Sequence, residues 1–374
     1  MELYFDNAAT TMMSKKSIES YTNTALLFPG NPSSNHRLGE KAKEELERRR
    51  DHIASILGVD SSSLTFTSGA TESISLFFSS LLWLEKGRVI ISRIEHEAVS
   101  SWSGYLKKQG WDVFSLKTKG GFVDKNELKA LLTPETRAVF IMSVNNVVGT
   151  IEPIEELVKT VRDFEKSINH RIYFFSDSVQ ALGKTDLNLK KWDIDGASFS
   201  AHKINGPRGV GLLYAKNPNM IRPLAKAGGQ ENQRRGGTEN LPAIAAFDTA
   251  LSEWYEEKDE IEKRARAIKE YLIKEIEALK LKILSPENSS PFILSFEAPL
   301  PSEVFTRILM DKGICVSAGS ACSNNAKGKT ENVLEAMGIK NQSARKAIRV
   351  SLGRTTTIEE AKELSKALKE ICNG

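Results

Sequence analysis

Lys203 stands in Ser200-Ala201-His202-Lys203, directly after the apolar stretch Gly196 to Phe199. That stretch reads as a strand, so the lysine falls just past a strand end. Partial burial there favours the neutral amine, which is the nucleophilic form. The spacing also suits a surface lysine beside a turn, because Gly206-Pro207 follows closely. Asp177 closes a second apolar stretch, Ile172 to Ser176. A carboxylate at the C-terminal edge of a parallel sheet faces the usual ligand crevice. It is the anion a pyridinium nitrogen needs to stay protonated and withdraw electrons. Gln180 follows and offers an amide to a phenolic oxygen on the same ring. An acid and an amine, each at a strand end, form a more specific pattern than either alone.

Further candidates fall at the same kind of junction. Thr67-Ser68-Gly69-Ala70-Thr71-Glu72 lies between a strand and a helix. Small residues there let the backbone approach a phosphate, and a helix N-terminus offers free N–H groups; the plain alternative is a helix cap. His96, in Glu95-His96-Glu97, suits stacking on an aromatic ring and proton transfer, or simply starts a helix. Asn145-Asn146 ends another apolar stretch and serves either a ligand or a turn. Cys322 sits in Gly319-Ser320-Ala321-Cys322-Ser323-Asn324, small and polar, which predicts an exposed mobile loop. Nearby lysines favour the thiolate, the form that attacks. Cys315, between Ile314 and Val316, and Cys372 read as structural.

The elements that must position these groups alternate through the first 215 residues. Strands are expected at Leu64–Thr67, Arg88–Ile91, Ala138–Ile141 and Ile172–Phe175. Helices are expected at Ile74–Leu84, Val99–Lys108, Lys125–Leu132 and Ile154–Phe164. Asp124 with Glu127, and Thr357 with Glu360, have the spacing of capping boxes. Apolar strands separated by helices predict a mostly parallel sheet covered on both faces. Leu241 to about Leu279 reads as one long helical stretch. Shorter strands and helices follow it, including Pro291–Phe296, Ser302–Met310, Ile348–Leu352 and Thr357–Ile371.

A chain of 374 residues accommodates a large and a small domain. We place the large one at 15–255 and the small one at 1–14 with 256–374. With 52 basic and 48 acidic residues, the charge gives no reason to expect a nucleic-acid partner. No apolar run is long enough to span a membrane, and the N-terminus lacks signal-peptide character. Three cysteines without C-x-x-C spacing match no zinc pattern and suggest a reducing, cytoplasmic setting with no bound metal.

Taken in order, these segments resemble the NifS/IscS-like cysteine desulfurases of the class V aminotransferase superfamily. The matching stretches are Tyr4-Phe5-Asp6-Asn7-Ala8-Ala9-Thr10-Thr11, Gly30-Asn31-Pro32, Ala70-Thr71-Glu72, Glu95-His96, Asn145-Asn146, Ser200-Ala201-His202-Lys203, Gly319-Ser320-Ala321-Cys322 and Ile348-Arg349-Val350-Ser351. The resemblance implies an α/β fold of the PLP-dependent transferase type I, aspartate-aminotransferase-like. Its mostly parallel central sheet would be joined by a smaller α+β C-terminal domain.

The same resemblance implies the roles. Pyridoxal 5'-phosphate would be held by Lys203 as a Schiff base, and Lys203 would move the Cα proton. Asp177 would pair with the ring nitrogen, Gln180 with the ring hydroxyl, and His96 would stack on the ring. Asn146 would contact cofactor and substrate. Ala70, Thr71, Ser200 and His202 would hold the phosphate, helped by Thr238 from the second subunit of a homodimer. Arg349, assisted by Asn31, would clamp the carboxylate of L-cysteine. Cys322 would take the sulfur as a persulfide and pass it to an acceptor protein such as an iron–sulfur scaffold, leaving L-alanine. Two departures from the family pattern stand out: Val147 where Glu is common, and Gly236 where Ser or Ala is usual. A selenocysteine lyase or aminotransferase of the same class, or a non-catalytic binding subunit, are the alternatives.

Overall fold

The computed structural model describes residues 2–225, 228–319 and 333–373. Its centre is a seven-stranded sheet. The strands are β1 (Leu64–Thr67), β2 (Arg88–Ser92), β3 (Asp112–Leu116), β4 (Thr136–Phe140), β5 (Tyr173–Asp177), β6 (Gly196–Ser200) and β7 (Gly211–Ala215). Their spatial order is β1-β7-β6-β5-β4-β2-β3. Only β7 runs against the others. The central strands β5 and β6 are buried almost throughout, as an apolar strand covered on both faces must be. The edge strand β3 is more open instead, with Asp112 and Ser115 exposed and only Leu116 fully buried.

Helices cover the sheet through apolar stripes of ordinary spacing. Helix Ile154–Glu165 buries Ile154, Leu157, Val158 and Val161, one face of a 3.6-residue period. Helix Ala70–Leu81 buries Ile74, Phe77, Phe78 and Leu81. Phe78 stacks on Phe140 and on Trp102, so this helix is locked to β4 by aromatic contacts. The other edge, β1, is protected differently. The N–H of Phe66 donates to the Glu231 carboxylate at 2.8 Å, and Arg50 grips that carboxylate with both terminal nitrogens at 2.8 Å. The edge amide is thus satisfied without offering itself to another strand.

The expected long helix after Asn240 is two helices, Leu241–Glu256 and Lys258–Ala278, which break at Glu257. The first packs on helices Lys15–Leu27 and Arg37–Leu57; the second packs on the final helix Ile358–Asn373. A second, antiparallel sheet follows. Its strands β8 (Lys282–Ile283), β9 (Ile293–Glu297), β10 (Ser317–Ala318) and β11 (Ala347–Ser351) lie in the order β8-β9-β11-β10. The chain start belongs to this region: Leu3–Tyr4 pairs in parallel with Ile314–Cys315, and Asp6 bridges to Ser351. The α/β class, with its mostly parallel sheet and smaller α+β portion, is the one the sequence implies.

Local expectations differ in three places. Val99–Lys108 is split into Glu97–Ser100 and Trp102–Lys108. Helix Ala70–Leu81 starts four residues earlier than the apolar pattern suggests, because its first turn is small and polar. The Asp124 cap forms, but Glu127 reaches the N–H of Lys117 rather than closing the box. Thr357 and Glu360 do make both halves of theirs, with Thr357 N–H on the Glu360 carboxylate and Glu360 N–H on Thr357 Oγ1. Among the described residues, no helix is long and apolar enough to cross a membrane.

Candidate active site

The carboxyl ends of the strands converge on one cavity of about 330 Å³. This is where a doubly wound sheet gathers ligands, because loops diverge there and leave a crevice. Ala70 and Thr71 reach it after β1, His96 after β2, and Met142 and Asn146 after β4. Asp177 and Gln180 reach it from β5, and Ser200, His202 and Lys203 from β6. Arg349, on β11 of the second sheet, closes the opposite wall with Ser317. Ten of the thirteen residues singled out in the sequence therefore share one space.

The other three do not line it. Asn31 and Thr238 are exposed and adjacent, with Asn31 Nδ2 3.5 Å from Thr238 Oγ1, and neither is brought to the cavity of its own chain. Cys322 lies outside the described residues.

Lys203 ends a short turn, Ala201–Lys203, directly after β6. Its Nζ donates to the carbonyls of Ala8 and Ala9 at 2.7 and 2.6 Å. The N-terminal segment is a strap that holds this turn in place. Thr11 donates through both N–H and Oγ1 to the His202 carbonyl, and Asn205 N–H donates to Thr11 Oγ1. The strap's other end is tied to β11, through Asn7 Nδ2 to Ser351 O and Ala8 N–H to Ser351 Oγ. One short peptide thus connects the lysine turn to the strand that carries Arg349.

Asn205 keeps the turn in shape. Its φ of 65° is left-handed, a region asparagine tolerates better than most residues. Its side chain donates to Met12 O at 2.7 Å and accepts from the buried Trp254 Nε1 at 3.0 Å. Its residue type alone does not single it out in the sequence; the only signal is its place in Lys203-Ile204-Asn205-Gly206.

Asp177 is buried, and its Oδ1 accepts from Val179 N–H and Ser198 Oγ. Burial raises its pKa, opposed by the nearby His96, those hydrogen bonds and Lys203. A cationic ring nitrogen at this wall would favour the charged carboxylate. His96 caps the helix Glu97–Ser100, its Nδ1 accepting from Ala98 N–H at 3.1 Å. The ring is therefore both a cap and a cavity wall, so the two readings of this residue are compatible. Asn145 takes the turn role of its pair: Oδ1 accepts from the N–H groups of Val147 and Val148, leaving Asn146 to the cavity. Val147 is buried in a small apolar cluster with Val148, Leu284, Leu334, Ala344 and Ala347. An aliphatic side chain at that position glues the sheet end to the second region.

The helix Ala70–Leu81 opens on the cavity without a side-chain cap at Gly69. Ala70 N–H is held by Ser200 Oγ at 2.9 Å. The approach is tight: a Cβ on Gly211 would meet Gly69 Cα at 2.5 Å, so β7 needs glycine there. His202 Nδ1 lies 3.1 Å from Thr10 Oγ1. Burial, then Lys203, Arg208 and Lys184, pushes its pKa down to about 4, so it is neutral near pH 7. An uncapped helix start, a hydroxyl and a neutral imidazole fit a phosphate dianion.

Arg349 is buried; one terminal nitrogen donates to Asp6 Oδ1 at 2.7 Å and the other to Asn146 O at 3.0 Å. Its Nε is buried with no hydrogen-bond partner among the described residues. An unused guanidinium donor beside a cavity suits a ligand carboxylate.

A mostly parallel sheet with a lysine, an acid and an uncapped helix start at its carboxyl edge defines a large class of α/β group-transfer proteins. Within it, residues 3–364 match the aminotransferase class-V family model, and the chain belongs to that family. It is 38% identical to a NifS/IcsS protein homolog of Lactobacillus delbrueckii subsp. bulgaricus, over 99% of this chain and 97% of that one. It is 35% identical to a cysteine desulfurase IscS of Dictyoglomus turgidum, over 99% and 94%. A solved NifS-like protein superposes with a TM-score of 0.93 at 35% identity, covering all of both chains.

Proposed function

We propose that this chain is a cysteine desulfurase that binds pyridoxal 5'-phosphate and moves the sulfur of L-cysteine to Cys322. The observation that carries the reading is the single cavity in which Lys203, Asp177, His96, Gln180 and Arg349 face one another. Its full-length likeness to named desulfurases supports the same substrate.

The residues fit the cofactor. Lys203 is the amine that would carry it. Asp177 would meet the ring nitrogen, Gln180 the ring hydroxyl and His96 the ring face. Ala70, Thr71, Ser200 and His202 would hold the phosphate, with Thr238 arriving from a second subunit. Bound there, pyridoxal phosphate supplies an electron sink for the pair released at the amino acid Cα. Arg349 orients the substrate by its carboxylate, with Asn146 and Asn31 as further contacts. Lys203 takes and returns the Cα proton. The Cys322 thiolate attacks the substrate sulfur; an S–S bond forms as the C–S bond breaks, and the carbon fragment leaves as L-alanine after protonation. The persulfide is then passed to an acceptor such as an iron–sulfur scaffold protein.

A homodimer is part of this reading. Helix Lys15–Leu27 buries Ser17 and Thr24 but exposes Ile18, Tyr21, Leu26 and Leu27, beside exposed Met12. Such an outward apolar face suits a second protein surface. We assign residues 15–255 to the cofactor-binding unit and 1–14 with 256–374 to the smaller one, a division supported by the helix break at Glu257. A cytoplasmic setting agrees with the free thiols Cys315 and Cys372.

The deciding measurement is alanine and sulfide production from L-cysteine with a thiol reductant. The wild type should yield both in equal amounts and absorb as a bound pyridoxal chromophore. Cys322→Ala should keep the chromophore and lose desulfuration by at least ~1,000-fold, as expected for loss of a covalent nucleophile. Undiminished sulfide release by that variant would favour a lyase without a thiol acceptor.

A further inference from the structure

One ionisable group beside the cavity has no part in the chemistry above. Lys184 is 3% exposed, and its amine sits behind the cavity wall rather than in it. Local geometry drives it inward. The chain leaves β5 through a tight turn in which Ala181 and Leu182 both donate their N–H to the Ser178 carbonyl. Gly183 then adopts a φ of 70°, where a Cβ would come within 3.0 Å of Trp254 Cβ. Only glycine fits this turn against the tryptophan, and the turn delivers the next side chain beneath the sheet edge.

The buried amine has a narrow set of partners. Nζ lies 3.3 Å from Gln180 Oε1 and 5.8 Å from the centroid of the Trp254 ring. Among the described residues no carboxylate pairs with it, and the charged groups that act on it are the cations Lys203 and Arg349. The other end of the Gln180 amide, Nε2, donates to Ala8 O at 2.9 Å. Ala8 O is also one of the two carbonyls that receive Lys203 Nζ. A continuous hydrogen-bonded chain therefore runs from Lys184 through the Gln180 amide and the Ala8 carbonyl to Lys203.

An amide has a donor end and an acceptor end of nearly equal size, so something must select its orientation. A lysine ammonium only donates and holds the oxygen end toward itself, and Ala8 O only accepts and holds the N–H₂ end, so the two contacts select the same orientation. Nε2 is then left facing Ala8 O and the cavity with its second hydrogen available. We propose that Lys184 is a positioning residue of this site, whose buried amine fixes the Gln180 amide so that its N–H₂ end serves the ligand. The inference rests on the reading of the cavity as a pyridoxal phosphate site. Lys184 itself touches no ligand in this scheme; it acts through Gln180.

Burial, then the two cations, lowers the Lys184 pKa to about 7. Its hold on the amide oxygen is strongest below that pH, because the charged ammonium is a stronger donor than the neutral amine.

A double-mutant cycle tests the proposal. Cofactor affinity and the pH midpoint of the bound chromophore are measured for wild type, Lys184→Met, Gln180→Leu and the double variant. Each single change should weaken pyridoxal phosphate binding about five- to tenfold, the value of one hydrogen bond. Each should also shift the chromophore midpoint in the same direction. The double variant should resemble Gln180→Leu alone, because Lys184 has nothing left to orient. Independent, multiplying effects of the two changes would overturn the proposal and leave Lys184 a packing residue. A second measurement does not depend on the folding of Lys184→Met. In protein labelled with 15N-glutamine, the Gln180 side-chain resonances, assigned by loss in Gln180→Leu, should titrate with a midpoint near 7. Resonances constant from about pH 6 to 9 would overturn it as well. A wild type that binds no pyridoxal phosphate would defeat the cofactor reading instead. The amide titration in that protein would still decide the Lys184–Gln180 link.

Discussion

Two lysines lie at the same pole of the sheet, on the turns that follow β5 and β6, and the molecule treats them oppositely. Lys203 is half-buried, lines the cavity and is steadied by two backbone carbonyls. Lys184 is sealed behind the wall, with one side-chain acceptor and an aromatic ring for company. Both turns end against Trp254: Gly183 packs on it, and Asn205 accepts its indole N–H. The two side chains are the same residue type, so location alone separates an amine that can meet a ligand from one that can only orient its neighbour. The strap of residues 7–14 meets both arrangements, since Ala8 O receives Lys203 Nζ directly and the Gln180 amide that Lys184 holds.

The sharpest way to break the comparison is Lys203→Ala. It should abolish the bound chromophore and reduce alanine formation by at least ~1,000-fold, the usual scale for removing a group that acts covalently. Lys184→Met should change binding only about five- to tenfold, as a single lost hydrogen bond does. If the two variants were equally inactive, the assignment of distinct roles would collapse. Asn205→Ala probes the shared support. It removes the left-handed preference and strands the buried Trp254 N–H, for about 2–4 kcal/mol of stability, read as the denaturant midpoint. Thermal melting of Glu95→Gln should give the smallest effect. Glu95 is buried, with Oε1 held by Ser92 and Met142 N–H, and burial raises its pKa to about 8. Its folded pKa lies above the ordinary value, so no penalty exists below about pH 4.5, and stability is lost as pH rises toward 8. The variant should melt roughly 2–4 °C higher than wild type at pH 8 and gain little at pH 5. An equal gain at both values would mean the carboxyl is already charged.

Much of this site was legible along the chain because its groups sit at strand ends, which apolar runs announce. Asp177, Lys203, His96 and Asn146 were found in that way. Asn205 and Lys184 were not: Asn205 matters through Trp254, 49 residues further on, and the inward direction of Lys184 is set by how the Gly183 turn packs on that same tryptophan. Ala8 and Ala9 contribute backbone carbonyls, and a backbone group leaves no mark in residue type. The helix break at Glu257 was equally silent: a run of Glu and Lys is compatible with helix on either side, and only the two packing surfaces require a change of direction.

What the residues determined alone were properties that period and chemistry encode locally: buried parallel strands, capped and uncapped helices, and which side chains are able to exchange protons or form covalent bonds. The tertiary structure decided which of them meet. Arg349 reaches the Lys203 pocket because residues 3–8 join β11 to the lysine turn, and pairings between chain segments hundreds of residues apart depend on the whole packed fold rather than on neighbours in sequence. The same packing, and no difference in side-chain chemistry, gave two identical amines separate environments.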